Sequence, residues 1–316
     1  MAERVGGSAI EARGLRKSFG EIRAVEGLDL VVLAGEIFGL VGPDGAGKTT
    51  AVRLLCGAMA PDSGAARVAG FDVVTEAEEV KRRLGYVPQR ASLYGDLTVE
   101  ENMLFQARVH GIGRRLFEQR QERLLTFSRL GRFRKRLARD LSGGMRQKLA
   151  VSCALIHEPE VLLLDEPTTG VDPVSRGELW ELLLELTGRG VTILLTTPYM
   201  DEAERCARVG LMHEGKLLAG GTPEEIRRGA GLELLQVACE PMAQGQSAAQ
   251  RVTGVRWVEV FGDRLHVAVR SAAEVEGPLR EALVKARVQV TSMRQIAPGM
   301  EDAFFELVRE PREGRG

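Results

Sequence analysis

The octet Gly42-Pro43-Asp44-Gly45-Ala46-Gly47-Lys48-Thr49 constrains the architecture more than any other part of the chain. It fits the pattern GxxxxGK followed by Ser or Thr. Its glycines let successive backbone N–H groups turn toward one point and wrap a row of phosphates, and a helix opening behind them adds its positive end. In that arrangement Lys48 reaches the β- and γ-phosphates and the Thr49 hydroxyl can ligate Mg²⁺. Thr50 is grouped with the same loop. An octet alone is a moderate signal, because a glycine-rich turn can match it by accident. Here an apolar strand, Ile37 to Val41, leads in and a helical pattern, Gly47 to Gly57, leads out, as the motif requires.

Working outward, the run Val161-Leu162-Leu163-Leu164-Asp165-Glu166 supplies a complementary half. A fully apolar run ending in carboxylates reads as a buried parallel strand. Asp165 at its end can hold Mg²⁺ directly or through water, and Glu166 can polarise an attacking water as general base. Leu84 to Val87 and Val191 to Thr196 read as further strands, and Thr98 to His110, Ser142 to Ile156 and Val174 to Leu186 as helices. Thr98 with Glu101 three residues on forms a capping box. This alternation predicts an α/β fold: a mainly parallel sheet with helices on its faces.

Leu141-Ser142-Gly143-Gly144-Met145-Arg146-Gln147 adds a second anion site. Ser142 is an N-cap, and two glycines open its helix without covering the first N–H groups. One ATP has no evident need of two such sites in a chain; two ATPs shared by two chains do.

With these motifs in this order, the sequence resembles the nucleotide-binding subunits of ABC transporters over residues 10 to about 228. The resemblance implies a P-loop ABC cassette with antiparallel β and helical subdomains, binding ATP and Mg²⁺. It implies that Ser142, Gly143, Gly144 and Gln147 contact the nucleotide of a partner in a head-to-tail dimer. Gln89, in Tyr86-Val87-Pro88-Gln89, matches the loop that touches Mg²⁺ or water and faces the permease. Asp172, in Gly170-Val171-Asp172-Pro173, matches the family's D-loop, and Phe19 the aromatic that stacks on adenine; a core aromatic is the other reading of Phe19. Leu93 to Asn102 and Tyr199 to Cys206 look like the ATPases of bacterial drug and polyketide exporters, which serve separate integral-membrane permease subunits. Partners of that kind would place the chain in the cytoplasm, peripheral on the inner face of the cell membrane.

One departure stands out. The family carries a switch histidine directly before Tyr-Met-Asp-Glu-Ala, whereas this chain has Thr196-Thr197-Pro198-Tyr199, and its four histidines, His110, His157, His213 and His266, lie elsewhere. Proline has no side-chain donor for a γ-phosphate. Asp44, where asparagine is common, matters less in a loop that works through backbone N–H groups. Three functions stay open: a transport ATPase working as a homodimer or heterodimer, a catalytically weak regulatory subunit of a heterodimer, and a soluble ABC ATPase outside transport. The single cassette and the short stretch between Gln89 and Leu141 disfavour the last.

After Gly229-Ala230-Gly231 the texture changes. Leu232 to Ala238, Val255 to Val260, Arg264 to Val269 and Val288 to Ser292 read as strands, with Gly262-Asp263 as a hairpin turn. Helices are expected near 241–252, over Glu274 to Ala286 and over Met300 to Val308. The order predicts a small ferredoxin-like α+β domain. The expected domains are therefore 8–228 and 232–310. Pro298 to Phe305 is similar to the end of the exporters' accessory domain, a dimer-contact or regulatory element or a plain structural cap.

Lys plus Arg is 43 against 44 for Asp plus Glu, and this balance gives no argument for nucleic acid. The local run Arg129, Arg132, Arg134, Lys135, Arg136 and Arg139 reads as a solvated face. Cys56, Cys153, Cys206 and Cys239 lie far apart in apolar surroundings, which suits a reducing compartment and no metal site. No apolar run approaches the ~20 residues that span a bilayer, and Met1 to Ser8 lacks an apolar signal core, so a soluble chain is expected.

Overall fold

A computed structural model describes residues 7–90 and 92–309. The chain divides into two units, Met1–Pro223 and Glu224–Gly316. The first begins with β1 (Ser8–Phe19), β2 (Ile22–Leu33), β3 (Ile37–Val41), α1 (Lys48–Leu55), β4 (Ser63–Val68) and β5 (Phe71–Asp72). It continues with α2 (Ala77–Arg83), β6 (Leu84–Val87), α3 (Val99–Val109), α4 (Arg114–Phe127) and α5 (Gly143–Leu155). It ends with β7 (Val161–Asp165), α6 (Pro173–Gly188), β8 (Thr192–Thr197), α7 (Met200–Ala203), β9 (Arg208–His213) and β10 (Lys216–Gly221); α8 (Pro223–Gly229) follows.

Two sheets form this unit. One is antiparallel, in the order β2-β1-β4-β5; the other runs β10-β9-β3-β8-β7-β6 and is parallel from β9 to β6. Every residue of β3, β7 and β8 is buried, as expected where both faces of a parallel sheet are covered. The register matters for the site. Val41 lies opposite Thr197, Asp165 opposite Thr196 and Val87 opposite Leu164. The loops leaving β3, β6, β7 and β8 therefore emerge in one row at the carboxyl edge, the usual ligand edge of an open α/β sheet.

Local chemistry fixes the helix starts. Thr98 and Glu101 cap α3 reciprocally, at 3.2 Å and 2.8 Å. The Ser142 hydroxyl accepts the Met145 N–H at the start of α5 (3.3 Å). The Asp172 carboxylate accepts the Ser175 N–H at the start of α6 (2.9 Å), and Pro173 follows where a missing N–H costs nothing. The basic run is largely satisfied within the chain: Arg129 pairs with Glu178 and Glu181, Arg134 with Glu100 and Glu122, and Arg139 with Asp96, while Arg132 and Arg136 flank the Phe133 ring. All four cysteines are free and buried. Burial raises each thiol above its ordinary range, Cys153 and Cys206 to about 12.

The second unit contains β11 (Glu233–Glu240), α9 (Met242–Ala249), β12 (Val255–Phe261), β13 (Arg264–Val269), α10 (Ala272–Lys285), β14 (Gln289–Ile296) and α11 (Met300–Arg309). Its sheet is antiparallel in the order β12-β13-β11-β14. Leu265, Val267 and Val269 enter a core with Leu235, Val237, Leu279 and Leu283. His266, between them in the alternation, faces the other way and pairs with Asp302 of α11 (2.9 Å). Trp257 Nε1 donates to Glu306 of the same helix (2.7 Å). Among the described residues, no helix is long and apolar enough to cross a membrane.

Candidate functional site

The Gly42–Thr49 loop leaves β3 and enters α1. Gly42 N–H donates to the Thr197 carbonyl (3.2 Å), which ties the loop to the end of β8. Gly47 has φ +100, and a Cβ there would lie 2.0 Å from the Ala24 carbonyl oxygen; on Gly42 it would lie 2.0 Å from that of Met212. Only glycine fits either place, so the loop wraps tightly. Lys48, 3% exposed, donates through Nζ to the carbonyls of Gly42 (2.8 Å) and Pro43 (3.0 Å). The same Nζ lies 3.3 Å from Glu166 Oε1.

Thr49 Oγ1 donates to Asp165 Oδ1 (3.0 Å), which also accepts Thr196 Oγ1 (2.7 Å). This hydroxyl–carboxylate cluster is chemistry suited to a hard divalent cation. Glu166 is 6% exposed and has φ +48, an uncommon conformation for a residue with a side chain. Its N–H is held by Thr196, through Oγ1 (2.9 Å) and the carbonyl (3.2 Å). Its carboxylate meets Lys48, Gln89 Nε2 (2.8 Å) and Thr169 Oγ1 (3.3 Å). A buried carboxylate and a buried ammonium each require such partners. An open cavity of 510 Å³ stands over them, lined by Ile22, Arg23, Asp44, Gly45, Gly47, Lys48, Thr49, Thr50, Gln89, Glu166 and Glu214, among others. The tight glycine wrap, the buried ammonium and the Thr49–Asp165 oxygens fit a Mg-nucleotide.

A family model described as "ABC transporter" matches residues 25–169, and one described as "ATP-binding protein DrrA1-3-like, C-terminal domain" matches residues 221–308. The daunorubicin resistance ATP-binding protein DrrA3 of Streptomyces coeruleorubidus is 37% identical over 96% of this chain and 97% of its own length. The chain belongs to the ABC transporter family. The probable multidrug ABC transporter ATP-binding protein YbhF of Escherichia coli is 41% identical over 95% of the chain, yet the chain spans only 52% of YbhF. A solved ATP-binding subunit of an ABC transporter superposes with TM-score 0.64 and 33% identity, over 71% of this chain and 93% of its own.

In this ABC cassette not every residue singled out from the sequence lines one cavity. Phe19 is 48% exposed and pairs in register with Ile22 at the β1–β2 hairpin, while Ile22 and Arg23 line the cavity. Ser142, Gly143, Gly144, Gln147 and Asp172 gather elsewhere, where α5 and α6 begin. A Cβ on Gly144 would lie 2.3 Å from Ser175 Cβ, and one on Gly143 3.5 Å from the Gly170 carbonyl. Gln147 Nε2 is buried with no hydrogen-bond partner among the described residues. Asp172 is exposed, and the Ser175 N–H holds its carboxyl below the usual range. Pro198 is half-buried just past Thr197. Sequence reading passed over Thr169 and Thr196, which orient Glu166 and Asp165. The usable signal was Thr196-Thr197 ending an apolar strand beside the phosphate loop.

Proposed function

We propose that the chain is the ATP-binding and ATP-hydrolysing subunit of an exporter, acting at the cytoplasmic face of the membrane on separate permease subunits. The observation that carries this is the convergence of Lys48, Gln89 and Glu166 over the Thr49–Asp165 oxygens. The loop N–H groups and Lys48 bind the phosphates, and Thr49, Asp165 and Gln89 hold Mg²⁺. When bound, Mg²⁺ neutralises developing phosphate charge. Glu166 accepts the proton of the attacking water, with Gln89 and Thr169 fixing its carboxylate. Phe19 stacks on the base. Ser142, Gly143, Gly144, Gln147 and Asp172 complete the site of a second ATPase, identical or not, in a head-to-tail dimer. A groove of 630 Å³ that includes Pro88, Tyr94, Phe105 and Val109 opens beside Gln89 and supports permease docking near the site.

A second reading, a weak regulatory subunit, is favoured by Pro198, which offers no donor. One experiment addresses the main reading: Mg-ATP turnover and size-exclusion of wild type and Glu166→Gln. Removing the base should lower turnover by roughly 10²–10⁴-fold, leave ATP binding intact and accumulate an ATP-bound dimer. Equal turnover in the two proteins removes Glu166 from the chemistry. Wild-type dimerisation with ATP beside a purely monomeric variant removes the head-to-tail model.

A further inference from the structure

Glu202 of α7 is 0% exposed and touches no part of the cavity described above. A buried carboxylate must be matched, and here three donors converge on it. Thr197 Oγ1 donates at 2.5 Å, Arg176 Nε at 2.7 Å and Trp180 Nε1 at 3.4 Å. Arg176 also reaches Asp201 through NH2 (2.7 Å) and lies 4.8 Å from the centre of the Tyr199 ring. Arg176 and Trp180 both stand on α6, the helix that Asp172 caps.

What Glu202 holds is the end of β8. Thr196 grips the Glu166 N–H through two oxygens, and the Thr197 carbonyl takes the Gly42 N–H. Two adjacent threonines thus anchor the general-base candidate and the first residue of the phosphate loop. Glu202 fixes the side chain of the outer one, and Arg176 fixes Glu202. On the other side, the start of α6 is wedged against Gly143 and Gly144 through Gly170 and Ser175.

We propose that Glu202 and Arg176 are positioning residues: they fasten the end of β8 to α6, so that the arrangement of Glu166 and Gly42 follows the position of α6. This rests on the ATPase reading above. Fold stability alone does not call for the pair, since well-packed apolar residues often replace a buried ion pair without loss. The Arg176 guanidinium bridges two adjacent carboxylates, Nε to Glu202 and NH2 to Asp201, and these charge-assisted bonds do supply direction. The chain of contacts runs from Asp172 and the glycines of α5 to Gly42 and Glu166, so a load on the start of α6 reaches the hydrolytic residues.

The test uses the full chain. kcat and KM for Mg-ATP, with melting temperature, are measured for wild type, Glu202→Gln, Arg176→Lys, Arg176→Met and the double Arg176→Met/Glu202→Gln. Small misplacements of reacting groups cost up to about 100-fold. Glu202→Gln should therefore lower kcat about 10- to 100-fold while KM moves less than about threefold. The double variant should be no slower than the slower single, because the two act as one unit. Arg176→Lys, which keeps the charge, should recover part of the rate lost in Arg176→Met. A Glu202→Gln protein with wild-type kcat and only a lower melting temperature overturns the proposal, as do additive single effects. If Glu202→Gln does not fold, the Arg176 variants decide: equal kcat in lysine, methionine and wild type overturns it. A wild type that neither binds nor hydrolyses Mg-ATP overturns the ATPase reading and this one together, whereas an active wild type with unaffected variants overturns this one alone.

Discussion

Position 198 shows how much one side chain can decide. The pairing of Val41 with Thr197 brings Pro198 out of β8 beside Gly42, at the mouth of the phosphate loop. Proline contributes neither an N–H nor a side-chain donor there. Losing one preorganised donor to a developing oxyanion costs about 10²–10³-fold in rate. Pro198→His should therefore raise the turnover of the purified chain by about 10²-fold, with little change in KM. A multi-turnover phosphate-release assay with wild type and variant side by side checks this. If the histidine adds nothing to an already fast wild type, Pro198 is a backbone accommodation, and no asymmetric pairing with a second ATPase is needed to explain it. At this scale the sequence was legible where residue type and spacing carry the chemistry: Lys48, Thr49, Asp165 and Glu166 fall together as their motifs imply. Thr169, Arg176, Thr196 and Glu202 were not legible as a set. Their partners are distant in sequence, and a threonine or an arginine is unremarkable until the register of β7 and β8 is known.

Elements were readable where burial forces a pattern. β3, β7 and β8 have both faces covered and announce themselves as largely apolar runs, and the caps of α3 and α5 mark their own starts. β1, β4 and β10 were not picked out, because partly exposed antiparallel strands dilute the apolar signal with Arg, Glu and Lys; β9, parallel to β3 and largely buried, is a short run interrupted by Gly210. The basic, weakly apolar α4 was missed for a related reason. One contact between elements has a measurable pH signature. His110, at the end of α3, stacks on His157, between α5 and β7, with ring centres 3.8 Å apart. His157 Nε2 donates to the Leu84 carbonyl of β6 (3.0 Å). Burial first, then the neighbouring His110, pushes His157 from 6.5 down to about 4, and burial lowers His110 as well. The unfolded chain therefore binds more protons than the folded one between those values, so this contribution to stability is full above about pH 6.5 and is lost as pH falls toward 4. Thermal melts of His157→Gln, which keeps a donor for Leu84, should lose stability less steeply than wild type across that window. Parallel curves would assign the acid sensitivity to carboxylates instead.

For the whole molecule, the decisive fact is that each unit has its own apolar centre. Ile10, Leu15, Leu28, Phe38, Leu40, Leu163 and Leu194 belong to one, and Leu235, Val237, Leu265, Val267, Leu279 and Leu283 to the other. A domain with its own core can fold alone, and Gly229 and Gly231, exposed on either side of the buried Ala230 at the end of α8, offer a place to divide them. We place the division there, which assigns α8 to the nucleotide-binding part, and expect residues 8–228 and 232–310 to fold as separate polypeptides. The second is small enough for its core to be marginal, so the buried pairs made by α11 matter to it: His266 with Asp302, and Trp257 with Glu306. Only the first fragment contains Lys48, Thr49 and Asp165. A ligand that binds the folded form alone adds about 2.7 kcal/mol at 100 times its Kd. For a domain of this size that is a rise of roughly 5–10 °C in melting temperature. Differential scanning calorimetry should thus show that Mg-ATP shifts the melt of 8–228 by this amount and leaves a cooperative melt of 232–310 in place. A broad, non-cooperative trace for 232–310 would mean that the division is misplaced. An Mg-ATP response in that fragment would put a nucleotide site where none of these motifs lies.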